Sequence, residues 1–161
     1  MKWGGLLLAG AVVLMILSQV ATVLAPEVVP EVLRFRSAEP RPLPSDRIRE
    51  DAVHVYPDRI VIDISGAAWA RFAPTRSMEP VLGDSVNAIQ VVPESSDQIK
   101  VGDIISFQLP GAEEVIIHRV VEIGSDEEGW FAVTKGDNNA QADPGRRRFT
   151  DISRVLVAII Y

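Results

Sequence analysis

The sequence predicts a mainly β domain that follows one N-terminal transmembrane helix. An uncharged apolar run at residues 3–25 indicates the helix. After residue 52, short segments rich in β-branched residues are separated by turn-forming residues, which is typical of β-strands. We therefore divide the chain into a transmembrane anchor at 1–25, a proline-rich stalk at 26–52 and a β-rich domain at 53–161.

The apolar run at 3–25 is long enough to cross a bilayer, because a hydrocarbon core about 30 Å thick requires roughly 20 apolar residues as a helix. A cleaved signal peptide is the alternative, since Lys2 supplies a positive charge and residues 23–25 loosely resemble a cleavage site. The run exceeds the roughly 7–15 apolar residues of a signal peptide, and Pro26 would follow the cut. We favour a retained anchor.

The charges on either side of the anchor leave its orientation open. Lys2 lies on one side, and Arg34, Arg36 and Arg41 lie on the other. By the positive-inside rule the C-terminal domain would stay in the cytoplasm, yet long domains cross membranes largely regardless of their charge.

The segment at 26–50 carries five prolines among mixed charges. Proline fixes φ and lacks an N–H donor. This composition predicts an extended stalk rather than a packed element.

Six segments of the domain show the β pattern. Residues 59–64 alternate, with Ile60, Ile62 and Ile64 on one face. The other five segments are 86–92, 103–108, 115–123, 130–135 and 155–161. No convincing amphipathic helix competes with them, so we expect six or seven strands in a sheet assembly closed or nearly closed on itself.

Composition excludes several classes of protein. The 22 acidic and 16 basic residues give a net charge of -6, which argues against a nucleic-acid partner, because phosphate recognition uses clustered Lys and Arg. We interpret the basic run at 146–148 as a solvated loop. The absence of cysteine excludes a disulfide, a thiolate nucleophile and a Cys-based zinc site. We expect neither a cofactor nor a metal ion.

Ser77, in the stretch APTRSMEP at 73–80, is a candidate nucleophile, although a serine in a proline-bracketed turn is more often a surface residue. A serine nucleophile needs a base within hydrogen-bond reach, and a third group must hold that base. Of the two histidines, His54 follows the stalk and is interpreted as solvated. His118 lies in a predicted strand that could aim its ring, although a lone histidine among apolar neighbours is more often a core residue.

The segment TKGDNNAQADPG at 134–145 is the best source of the third group. Its Gly, Asn and Asp residues are also typical of an ordinary connecting loop. A calcium-binding loop fails, because Ala142 stands at the required glycine and Arg148 at the terminal glutamate.

Four motifs occur in one order along the chain: SMEP at 77–80, VGDIISF at 101–107, IIHRVV at 116–121, and TKGDNN with a following Asp at 134–143. In this order and approximate spacing they resemble a type I signal peptidase of the archaeal and endoplasmic-reticulum variety. In that variety a histidine replaces the lysine base of the common bacterial enzymes. The resemblance covers roughly residues 73–161, and four collinear motifs are more specific than any one of them.

The resemblance implies roles for five residues. Ser77 matches the nucleophile, His118 the general base and Asp143 the acid that orients the histidine. Asp137 matches a second acidic position, which would support the loop. Thr75 matches a hydroxyl residue that helps to bind the oxyanion, with the Ser77 N–H as the other donor.

The resemblance also implies a β-rich catalytic domain of a single-pass membrane protein, on the side of the membrane away from the cytoplasm. Its substrates would be signal peptides of exported preproteins, bound as an added strand with small pockets near the cut. The bilayer and the protein-export machinery would be further partners. A catalytically silent relative that binds signal peptides is one alternative, and retention of all three triad residues argues against it. A structural β-domain of the envelope is the other, and it predicts a scattered triad.

The chain departs from the family pattern near the proposed nucleophile. Arg76 stands where close relatives usually have Gly, and a positive φ there would make arginine costly. The loop between Pro80 and Gly83 is two residues shorter than usual, and Ala142 replaces an acid often found beside the catalytic Asp. The stalk is also longer than usual.

Overall fold

Eight β-strands form most of the regular structure in the computed structural model, which describes residues 41–161. The predicted anchor at 1–25 and the stalk up to residue 40 lie outside the described residues. The strands are β1 (Val53–Val55), β2 (Ile60–Ile62), β3 (Ala68–Arg71), β4 (Asn87–Val91), β5 (Ile104–Gln108), β6 (Val115–Asp126), β7 (Gly129–Lys135) and β8 (Ile152–Ile160). Short 3-10 turns occur at Glu50–Ala52, Ser96–Gln98 and Phe149–Asp151. Within 41–161, no helix has the length and apolar content that a bilayer crossing requires.

The prediction of a mainly β fold is confirmed. All six predicted segments contain a strand, although β2 is shorter than the alternating run at 59–64. The prediction missed β1, which has only three residues, and β3, whose sequence AWAR contains no β-branched residue.

Six of the strands form one antiparallel sheet in the order β3-β4-β8-β5-β6-β7, and β1 pairs with β2 separately. The edge strands β3 and β7 do not pair with each other, so the sheet in residues 41–161 is open. A closed or nearly closed assembly was expected. Alternation and turn spacing indicate strands, but they do not specify whether two edges meet.

The central strand β5 separates two apolar clusters, because successive side chains of a strand point to opposite faces. Ile105 and Phe107 belong to one cluster, while Ile104 belongs to the other. The second cluster also contains Met78, which follows the candidate nucleophile directly and is only 3% exposed. The core therefore reaches the connection between β3 and β4 that carries Ser77.

The basic run at 146–148 is not the solvated loop that was expected, because acidic and aromatic side chains surround it. Arg148 bonds Asp126 at 2.8 Å and Glu128 at 2.7 Å, and Arg146 also pairs with Asp126. The hydrogen bond from Arg148 is the main reason why the pKa of Asp126 is lowered to about 2. Arg147 is buried, with its guanidinium 5.1 Å from the centroid of the Phe107 ring.

Residues 41–47, which fall within the predicted stalk, contact the domain. The Ser45 N–H donates to the Asp103 carboxylate at 2.7 Å, and the Arg47 guanidinium donates to it at 2.5 Å. Asp103 is 1% exposed, so these donors satisfy a buried charge. The boundaries at 25 and 52 stay predictions. The contacts with the domain begin at Arg41, whose guanidinium donates to the Asp137 carbonyl.

Candidate active site

Ser77 lies half-buried in the connection between β3 and β4. Its Oγ is 3.2 Å from Oγ1 of Thr75, so the two hydroxyls share a hydrogen bond. Met78 packs into the apolar core beside it, and a cis peptide bond joins Glu79 to Pro80 two residues further on. The buried methionine fixes one side of the turn while the serine hydroxyl stays accessible.

Arg76 has a φ of 60°, in the left-handed region where a residue other than glycine incurs a cost of about 1–3 kcal/mol. The backbone at this position therefore does have the positive φ that makes arginine costlier than the usual glycine. The Arg76 carbonyl accepts a hydrogen bond from the Asn138 side chain at 3.1 Å, which helps to hold this conformation. The arginine side chain itself is 77% exposed.

His118 lies on β6 with its ring held by an acid. Nδ1 is 2.6 Å from Oδ2 of Asp143, and the Thr134 hydroxyl donates to the same oxygen at 2.7 Å. The Asp143 N–H also donates to the Thr134 carbonyl at 2.8 Å, so one side-chain and one main-chain bond hold Asp143 to β7. A histidine that donates Nδ1–H to a carboxylate carries its lone pair on Nε2, as a general base requires.

Asp137 contacts the residue next to His118 rather than His118 itself. It forms a bidentate ion pair with Arg119, at 2.8 Å and 2.7 Å, and the two side chains are 3% and 6% exposed. Arg119 also donates to the Gly102 carbonyl at 2.8 Å. This buried pair fixes the start of the loop that follows β7.

The loop at 136–143 contacts the turn that carries Ser77 as well as His118. The Asn138 N–H donates to the Ser77 carbonyl at 2.8 Å. At Gly136, an added Cβ would lie 2.7 Å from the Ser77 carbonyl oxygen, so only glycine permits this close approach. One loop thus joins the turn that carries Ser77 to the acid that holds His118.

Ser77, Thr75 and His118 line one cavity of about 740 Å³. Within residues 41–161, no hydrogen bond joins Ser77 directly to His118, and what the two residues share is the lining of this cavity. Catalytic hydrogen bonds are often long in enzymes without substrate and tighten on binding. The arrangement can present a hydroxyl and an oriented imidazole to a ligand in the same space.

The structure therefore brings together four of the five candidate residues around one site, and it places Asp137 behind them against Arg119. His54 lies apart on the surface, 3.1 Å from Asp63. Sequence reasoning missed the contacts of Thr134 and Asn138. Both residues lie in the motif TKGDNN, and this position was the only sign in the sequence that they contact the site.

No group of three or more His, Asp or Glu side chains in the described part of the chain is arranged to hold a metal ion. The two acids of the site already have partners, since Arg119 binds Asp137 while His118 and Thr134 bind Asp143.

The chain is similar to catalytic subunits of the signal peptidase complex from three eukaryotes. The sec11 protein of Dictyostelium discoideum is 43% identical over 47 residues, which are 29% of this chain and 26% of that relative. SEC11 of Clavispora lusitaniae is 38% identical over 69 residues, 42% of this chain and 39% of the relative. SEC11 of Scheffersomyces stipitis is 37% identical over 71 residues, 43% of this chain and 40% of the relative.

The resemblance to signal peptidases of the endoplasmic-reticulum type is confirmed. The chain spans only 26–40% of the length of these SEC11 relatives. No protein-family model matches the chain. No solved structure matches it either.

Proposed function

We propose that this chain is a membrane-anchored serine endopeptidase that removes signal peptides from exported preproteins. The contact of 2.6 Å between His118 and Asp143, beside a cavity that Ser77 also lines, carries the proposal. The similarity to SEC11 catalytic subunits supports the same substrate class. The domain would have the fold of a signal peptidase.

Ser77 Oγ attacks the carbonyl carbon of the residue before the cut, while His118 Nε2 accepts the hydroxyl proton. The tetrahedral intermediate collapses to an ester on Ser77, and the departing amine takes the proton from His118. A water molecule then gives a proton to His118 and attacks the ester. The second tetrahedral intermediate collapses as His118 returns that proton to Ser77 Oγ, which restores the serine and releases the signal peptide as a carboxylic acid that ionises in water. Asp143 keeps the imidazole in the required tautomer and stabilises its charged form.

The oxyanion of each tetrahedral intermediate needs two donors. The Ser77 N–H is one, and the Thr75 hydroxyl is the other. The hydrogen bond of 3.2 Å between Thr75 and Ser77 supports this role, because it places the threonine hydroxyl next to the attacking oxygen.

The membrane arrangement extends the same proposal. Residues 1–25 anchor the chain in a bilayer as a single span, and the catalytic domain faces away from the cytoplasm, where exported preproteins emerge. The signal peptide binds in an extended form beside the site. The protein-export machinery is a further partner.

Cleavage of a synthetic signal peptide by the full-length protein in detergent tests the proposed function. Mass spectrometry should find one cut, after a small residue. The rate should fall at acid pH, because a protonated His118 cannot accept the serine proton. A rate that rises only at strongly alkaline pH would instead point to a lysine base, with Lys135 as the first candidate. The absence of any cut would favour a relative that binds signal peptides without cleaving them.

Substitution of Thr75 tests the second oxyanion donor. Thr75→Val keeps the shape of the side chain and removes the hydroxyl, so we expect kcat to fall by about 10²–10³ with little change in KM. Thr75→Ser keeps the hydroxyl and should retain most of the activity. Equal losses in the two variants would show that threonine acts through packing, and steady-state kinetics on the same peptide would reveal this.

A further inference from the structure

Two buried polar side chains, Gln90 on β4 and Ser106 on β5, line the cavity beside Ser77 and His118. They are 5% and 4% exposed. Gln90 Nε2 donates to Ser106 Oγ at 2.6 Å. Neither residue belongs to the mechanism described above, and just over half of the other residues that line the cavity are apolar.

The pair leaves hydrogen-bonding capacity unused. A carboxamide offers two N–H donors and an acceptor oxygen, and a hydroxyl both donates and accepts. Within residues 41–161, the bond to Ser106 is the only hydrogen bond of the Gln90 side chain. The other polar atoms of this side chain have no partner in that part of the chain, yet none of them is fully buried. The remaining polar atoms of Gln90 are therefore accessible from the cavity.

Irregularities in the sheet coincide with this pair. The register of β4 against β8 shifts between Ile89 and Gln90, and the register of β5 against β8 shifts between Ser106 and Phe107. A β-bulge changes the direction of a side chain and often occurs next to an active site. Both polar residues thus lie where their strands depart from regular pairing.

We infer that Gln90 and Ser106 form a polar subsite that selects a short hydroxyl side chain, serine or threonine, in the peptide segment before the cut. The inference rests on the proposed function. A hydroxyl fits either orientation of the Gln90 carboxamide, because it can donate to the oxygen or accept from the nitrogen. The pair is neutral, so the subsite itself supplies no counter-ion to a charged side chain.

The selectivity follows from the cost of unpaired polar groups. An apolar side chain of the same size would displace water from Gln90 and leave it unsatisfied. Sites that bind a substrate hydroxyl discriminate strongly against analogues that lack it. Valine has the shape of threonine without the hydroxyl, so a threonine and valine pair of peptides isolates this interaction.

The test uses peptide pairs that carry threonine or valine at each of the four positions before the cut. With the full-length wild-type protein, kcat/KM should favour threonine by about tenfold or more at one position. Gln90→Leu and Ser106→Ala should each reduce that ratio towards one, mainly by slowing the threonine peptide. Gln108→Leu is the matched control on β5, since Gln108 is exposed, and it should keep the wild-type ratio.

Binding to the Ser77→Ala variant separates this inference from the proposed function. Fluorescence anisotropy with labelled peptides should show the same preference in Kd, because the subsite does not require the nucleophile. Equal Kd and equal kcat/KM for threonine and valine at all four positions would overturn the subsite. A preference in Kd without hydrolysis by the wild type would support the subsite and overturn the peptidase.

Discussion

Ser77→Ala is expected to lower the rate of signal-peptide cleavage by a factor on the order of 10⁵–10⁶, because loss of the nucleophile in a serine protease costs about this much. The variant should still fold, since the Ser77 contact with Asn138 uses a main-chain carbonyl and Met78 still anchors the turn. Single-turnover kinetics with excess enzyme would measure the remaining rate.

Ser85→Ala is the matched control for this experiment. Ser85 is an exposed serine eight residues further along the same connection, so the same atom is removed outside the cavity. We expect wild-type activity from it. Comparable cleavage by the wild type and Ser77→Ala would remove Ser77 from the mechanism and would indicate a contaminating protease or another nucleophile.

Arg119→Met is expected to lower the free energy of unfolding by about 3–5 kcal/mol, because it leaves Asp137 as a buried carboxylate without a counter-ion. Arg119 and Asp137 are 6% and 3% exposed, so water cannot replace the lost partner without local opening. Activity should fall as well, since Asp137 begins the loop that reaches Ser77 and Asp143. Chemical unfolding of the full-length protein in detergent, followed by circular dichroism, would measure the loss.

Two further variants show whether the loss of stability comes from the broken ion pair. Arg119→Met combined with Asp137→Leu removes both charges and should recover much of the stability, because apolar replacements of buried pairs are often neutral. Arg59→Met breaks an exposed pair with Asp58, whose side chains are 59% and 72% exposed, and should cost less than about 1 kcal/mol. A double variant as unstable as Arg119→Met would attribute the loss to packing or to the bond with Gly102.

The sequence predicted the positions of the strands better than the arrangement of the sheet and of the candidate site. Alternating and β-branched segments indicate where strands occur. Three short motifs supplied four of the candidate residues, and Thr75 came from its position two residues before Ser77. The pairing of His118 with Asp143 depends on the register that places β6 beside β7, which no local pattern specifies. The positive φ of Arg76 could not be predicted from the sequence, because arginine does not indicate left-handed backbone as glycine does. Only its cost, if it occurred, could be stated in advance.

Polar residues inside the domain were the least predictable. Gln90 and Ser106 occur in segments that otherwise predict ordinary core strands, and nothing in the local sequence indicates the bulges beside them. The basic run at 146–148 was misinterpreted for a related reason. Its partners Asp126 and Glu128 lie about 20 residues earlier, across the turn between β6 and β7.

The close approach of Gly136 to the Ser77 carbonyl has a consequence for how this chain can vary. The turn at 75–80 and the loop at 134–143 touch main chain to main chain, so an insertion or deletion in either would displace both. The tip of the β6–β7 hairpin, around Glu127 and Glu128, is exposed and has no such contact with the site. Length changes and fused tags are therefore best placed at that tip, where they would displace neither the turn at 75–80 nor the loop at 134–143.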